Sequence, residues 1–143
     1  MTKAEKPFHE KEYKKLDGIS CPILKVLIGK NKKPVCAYAD TGCTSGISML
    51  KEQVKDIDIG EKINDEPSPC IMADGRMIGA DHYLSRVSIG KEEKQVVISV
   101  VDSSKILGFV SLEETTPLLG RDFLDAYNVL FKGKEKKIAL FKC

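Results

Sequence analysis

Beyond residue 21 the chain is cut into short apolar runs, and turn residues close each of them. Residues 23–28 are apolar at five of six positions, and Gly29-Lys30-Asn31-Lys32-Lys33 ends the run. Pro34 opens the next run, where a missing N–H costs a strand least. Residues 35–39 then lead straight into Asp40-Thr41-Gly42. Runs at 82–89 and 95–101 are joined by Gly90-Lys91-Glu92-Glu93, and a final pair, 129–131 and 138–141, flanks a Lys/Gly/Glu turn. Runs this short and this evenly punctuated predict strands. Asp74-Gly75, within residues 70–77, is a hairpin-turn dipeptide. Two short helices are expected. One starts at a capping Ser48 with Leu50, Val54 and Ile57 at helical spacing. The other follows Gly120 and turns Phe123, Leu124 and Tyr127 inward. Residues 60–69 and 102–116 read as connections. The fold class is therefore all-β with one or two short helices, a small barrel or sandwich.

Length and charge narrow the function classes. The 143 residues suit one domain. It is expected over 19–143, after a charged arm over 1–18. Nine of the first 17 residues are charged, so the arm is read as mobile, or ordered only against a partner. The 23 Lys+Arg nearly cancel the 21 Asp+Glu, which argues against a dedicated nucleic-acid binder. No apolar run nears the ~20 residues that span a bilayer, and the first residues lack the apolar core of a secretory signal. A cytoplasmic protein without nucleic-acid or membrane partners is expected. Cys21, Cys36, Cys43, Cys70 and Cys143 are odd in number and show no C-x-x-C spacing, so reduced thiols are expected.

Asp40-Thr41-Gly42 carries the sharpest chemical reading. A strand-end Asp followed by Thr and Gly can deliver a carboxylate into a tight turn, where Gly allows another chain to come close. The plainer reading is a strand-end turn, because Asp and Gly both favour turns. Other chemistry finds no support. His9 and His82 are the only histidines, too few for an HExxH zinc site, and each reads as a surface residue. There is no G-x-S-x-G elbow and no phosphate-binding loop. The four lysines within 132–137 read as a solvated turn guarding a sheet edge. Cys43 reads as a small buried filler beside the carboxylate, with a redox role as the alternative.

The order of elements resembles the retropepsin-like (retroviral-type) aspartic proteases. It runs apolar strand, Asp-Thr-Gly, a hairpin near 70–80, then Leu118-Leu119-Gly120-Arg121-Asp122 leading into a helix. The matching stretch covers about residues 21–141. The resemblance implies a single-lobed acid-protease barrel that forms a C2 dimer, and no cofactor or metal. By the same resemblance Asp40 matches the catalytic aspartate. Thr41 matches the threonine that bonds across the dimer interface, and Gly42 the glycine whose backbone meets substrate. Leu119 and Gly120 match the element beside the catalytic loop, and Arg121 the arginine that braces that loop. Met72, Ala73, Asp74 and Gly75 match the substrate-binding flap. Three departures stand out. Cys43 replaces the usual Ala or Ser. Thr44 and Ser45 stand where an acidic partner for Arg121 is expected, which sends Arg121 elsewhere, including to the other chain. The 102–116 connection is long.

Peptide hydrolysis by this route needs two carboxylates, one acting as base on water and one donating a proton. The chain has one Asp-Thr-Gly. The expected enzyme is therefore a homodimeric aspartic endopeptidase acting on peptides or unfolded protein, with one Asp40 from each subunit. Two alternatives stand beside it: a catalytically weak or inactive homodimeric peptide-binding module of the same fold, and an unrelated small β-barrel in which Asp40 only turns the chain.

Overall fold

The computed structural model describes residues 5–71, 77–106 and 115–143. In chain order the strands are β1 (His9–Glu12), β2 (Lys14–Leu16), β3 (Ile19–Cys21), β4 (Ile23–Ile28), β5 (Lys33–Ala39), β6 (Ile47–Leu50) and β7 (Glu61–Lys62). There follow β8 (Ser68–Ile71), β9 (Met77–Ile89), β10 (Glu92–Val101), β11 (Leu118–Leu119), β12 (Tyr127–Lys132) and β13 (Lys137–Lys142). One short helix, α1 (Arg121–Leu124), lies between β11 and β12.

Six strands close on themselves. Pairing runs β10-β6-β11-β5-β4-β9, and β9 pairs again with β10 along ten residues of each strand. Closure leaves the ring without a free edge. The alternation in β4 shows why it belongs there. Leu24, Val26 and Ile28 are fully buried while Lys25 is exposed. Each such aliphatic burial stabilises by about 1.5–3 kcal/mol. Val87, Ile89, Val96, Ile98 and Leu119 meet them from across the ring, and Phe123 of α1 plugs the same core. The all-β reading, with its short helical pieces, is what the structure has.

β11 inserts between β5 and β6, parallel to the first and antiparallel to the second. The chain leaving β5 must therefore arch over the end of β11 before it can enter β6. That arch is residues 40–46, and it begins at Asp40.

The sequence expectations need three corrections here. The helix expected from Ser48 is strand β6 followed by a single 3-10 turn, Lys51–Val54. Ile47, Met49 and Leu50 are buried by pairing with β10 and β11, and that sheet contact outweighs helical spacing. The helix after Gly120 is only four residues long, and Tyr127 belongs to β12. The described part of the charged arm, from residue 5, pairs with its own chain. β1 pairs with β13, the Phe8 amide donates to the Leu140 carbonyl at 2.9 Å, and the Phe8 ring lies 5.1 Å from that of Tyr127. Glu10 also meets Lys132 at 3.3 Å and Lys137 at 3.9 Å, which accounts for two of the turn lysines. The result is a three-stranded sheet, β1-β13-β12, in which Ile138 and Leu140 join the barrel core. β2 and β3 form a separate hairpin.

Candidate active site

The 40–46 loop is fixed by backbone hydrogen bonds to the strand it crosses. The Asp40 amide donates to the Leu119 carbonyl at 2.9 Å, the Gly120 amide to the Gly46 carbonyl at 2.9 Å, and the Arg121 amide to the Cys43 carbonyl at 2.7 Å. Leu119, fully buried, anchors the β11 side of this lattice. Its other constraint is space. A Cβ on Gly46 would sit 2.4 Å from Val96 Cβ. Small residues at 46 and 120 therefore let the arch lie flat on its neighbours.

Within the arch, Asp40 is half-buried. Its Oδ1 accepts from the Gly42 amide at 2.9 Å, a local turn that fixes the carboxylate rotamer. Among the described residues, Oδ2 carries no hydrogen bond. Thr41 and Gly42 are exposed. Cys43 is half-buried, and its thiol is pushed up in pKa by that burial and, to a lesser degree, by the neighbouring Asp40 and Cys70. A backbone hydrogen bond from Ser45 works against the shift. The filler reading fits this setting.

Arg121 is exposed and pairs with Asp125, four residues on, at 3.2 Å. The carboxylate missing from positions 44 and 45 is thus supplied one helical turn later in the same chain. Beside it an open groove of about 420 Å³ is lined by Thr41, Arg121, Leu124, Tyr127, Val129 and Phe131 among others. β12 forms one wall of it and, among the described residues, pairs only with β13.

Asp122 ties α1 to the barrel: its Oδ2 accepts from the Val97 amide at 2.8 Å, and Lys94 bonds its carbonyl oxygen. The sequence reading used Asp122 only as part of a motif. It also placed His82 on the surface, whereas His82 is half-buried and meets Ser99. His9 is half-buried as well, which lowers its pKa, with Lys11 adding to the effect. Met72, Ala73, Asp74 and Gly75 lie outside the described residues, as does most of the 102–116 connection. Residues 60–69, read as a connection, hold β7 and the start of β8, and β9 begins well before residue 82: Ser68 to Ile71 of β8 pair with Met77 to Ala80 of β9 around the expected hairpin.

No protein-family model matches the chain, and no curated protein does. A solved structure is similar: the EIAV protease complexed with the inhibitor HBY-793. It aligns at a TM-score of 0.56 and 18% identity over 78% of this chain and 91% of that one. The fold is retropepsin-like. In a barrel of this kind the sequence-predicted residues Asp40, Thr41, Gly42, Leu119, Gly120 and Arg121 form one contiguous patch, bound by the hydrogen bonds described above. No cluster of metal-binding side chains occurs among the described residues.

Proposed function

We propose that this chain is one half of a homodimeric aspartic endopeptidase, with Asp40 of each subunit at the two-fold axis. The observation that carries the proposal is the arch itself: a lone Asp-Thr-Gly, bonded to Leu119 of β11 and to Gly120 just after it, within a retropepsin-like barrel. One carboxylate cannot serve as both base and acid. Two in contact cannot both stay ionised, so they share a proton. The ionised partner takes a proton from water, which attacks the peptide carbonyl. The protonated partner donates to the carbonyl oxygen. Gly42 contributes backbone to the peptide, and Thr41 contributes its hydroxyl to the subunit seam. Exposed Thr41 beside the groove walled by β12 supports that placement. The substrate is an extended peptide held by backbone hydrogen bonds and side-chain pockets.

The test is cleavage of a denatured protein across pH. Wild type is expected to give a bell-shaped profile on the acid side of neutral, belonging to the pair of carboxylates jointly. Asp40→Asn keeps the shape and removes the base, so turnover should vanish while the protein still sediments as a dimer. Undiminished cleavage by purified Asp40→Asn rejects the assignment. Peptide binding without turnover in wild type selects the binding-module reading.

A further inference from the structure

A chain of three side chains runs from the barrel wall into the 40–46 arch. His82 of β9 places Nδ1 2.9 Å from Ser99 Oγ of β10, and Ser99 Oγ lies 2.6 Å from Ser45 Oγ. Cross-strand register sets the first contact, since His82 and Ser99 are directly paired. Ser99 is only 1% exposed, so bulk water does not compete for its hydroxyl. The His82 backbone is held as well: its amide donates to Asn64 Oδ1 at 2.8 Å, and its carbonyl accepts from the Ile63 amide at 2.9 Å.

Each hydroxyl has one hydrogen to give, so the direction of this chain is set at the imidazole end. When Nδ1 is a bare acceptor, Ser99 donates to it and Ser45 donates to Ser99. When the ring is protonated, Nδ1–H can only donate. Ser99 Oγ accepts that hydrogen, Ser99 turns its own hydrogen to Ser45, and the hydrogen of Ser45 is released from the interior. Gaining a proton turns a bare ring nitrogen of histidine from acceptor to donor. We infer that His82 is a positioning residue which, through Ser99, sets whether the Ser45 hydroxyl donates to Ser99 or is free to donate to a peptide carbonyl. The second half of this inference rests on the peptidase reading above, and the first half does not.

The charges around the ring are few. Leu84 on its own strand, Val97 and Val101 on β10, and Glu61 of β7, which pairs with Leu84, share its face by the two-residue period, so Glu61 is the carboxylate on that side. Lys62 and Asp81 belong to the opposite face and pair with each other at 3.3 Å. Asp65 and Glu66 follow Asn64 in the adjoining turn, and Asp40 and Cys43 are the titratable groups of the arch.

The experiment follows the His82 ring and the Ser45 and Gly46 amides by NMR across a pH titration, without substrate. In wild type both amides should shift with the midpoint of the His82 ring. In Ser99→Ala the ring should still titrate while the amides stop following it. Ser45 amides that ignore the ring in wild type, or still follow it in Ser99→Ala, overturn the inference. Kinetics supply the second arm. KM of wild type should fall about two- to tenfold as His82 gains its proton, the worth of one hydrogen bond. That fall should be absent in Ser45→Ala and His82→Asn, with kcat changed far less. Ser45→Ala alters a half-buried position and keeps the test decisive if Ser99→Ala does not fold; a persisting fall in KM then overturns the inference. Coupled amides without any turnover reject the peptidase reading alone. Turnover with uncoupled amides rejects the positioning role alone.

Discussion

Gly120 and Ser45 approach so closely that no side chain fits between them. A Cβ on Gly120 would lie 2.0 Å from the Ser45 carbonyl oxygen, 2.7 Å from that of Cys43 and 2.9 Å from Cys43 Sγ. The backbone angle at Gly120, φ −105°, is one any residue adopts. Glycine is needed here for space, because the 40–46 arch rests directly on the start of α1.

Gly120→Ala is therefore expected to lift the arch off β11 and lengthen its hydrogen bonds to Gly46 and Cys43. Overpacking of this kind costs about 1–3 kcal/mol. Urea unfolding should show a lower midpoint, and peptide turnover should fall more than stability does, since Asp40 starts the same arch. Wild-type stability and turnover in this variant would mean that the arch is not seated as described.

The proposed dimer has a candidate seam. Among the described residues β12 pairs on one side only, and the groove it walls sets Thr41 beside its own Phe131, which is 37% exposed. An aromatic side chain left half in water on an edge strand is the kind of anchor that carries binding energy at interfaces. Phe131→Lys is expected to weaken self-association about tenfold or more and to leave the barrel folded, since no core contact is lost. Sedimentation across a concentration series measures it. An unchanged dimer constant places the seam on another face.

Four of the ring strands, β4, β5, β9 and β10, were readable because each alternates or is buried over a turn-bounded run. Asp40, Thr41 and Gly42 were readable as a motif, and the Leu-Leu-Gly element as its companion. What was hidden depends on tertiary contact. Leu50, Val54 and Ile57 have helical spacing after a capping Ser48, but parallel pairing with β10 claims Ile47 to Leu50 for the sheet. The N-terminal arm looked mobile because its charge is local information, while the β13 edge that captures β1 lies more than a hundred residues away. His82 looked superficial because nothing near it in sequence announces Ser99, its partner across two strands. The pairing of Arg121 with Asp125 was within reach: four residues on a predicted helix is one turn.

Cys43 gives a pH-dependent prediction with a definite sign. Burial is the first cause of its raised pKa, and the charges of Asp40 and Cys70 act in the same direction. A group whose folded pKa lies above its unfolded one adds stability that is fully present below the unfolded value and is lost as pH rises through the folded value. Near neutral pH the thiol is therefore neutral, adds no negative charge beside Asp40, and is a poor nucleophile, because the thiolate is the reactive form. Exposed Cys36 and Cys143 make internal controls. With iodoacetamide at pH 7.5, chosen as a working condition about one unit below an ordinary thiol pKa, mass spectrometry should show Cys36 and Cys143 modified first and Cys43 far behind. The lag should shrink as pH rises and disappear in denaturant, where burial no longer acts. Modification of Cys43 at the rate of Cys36 in the folded protein at neutral pH would contradict the buried, neutral thiol and reopen a redox role beside the arch.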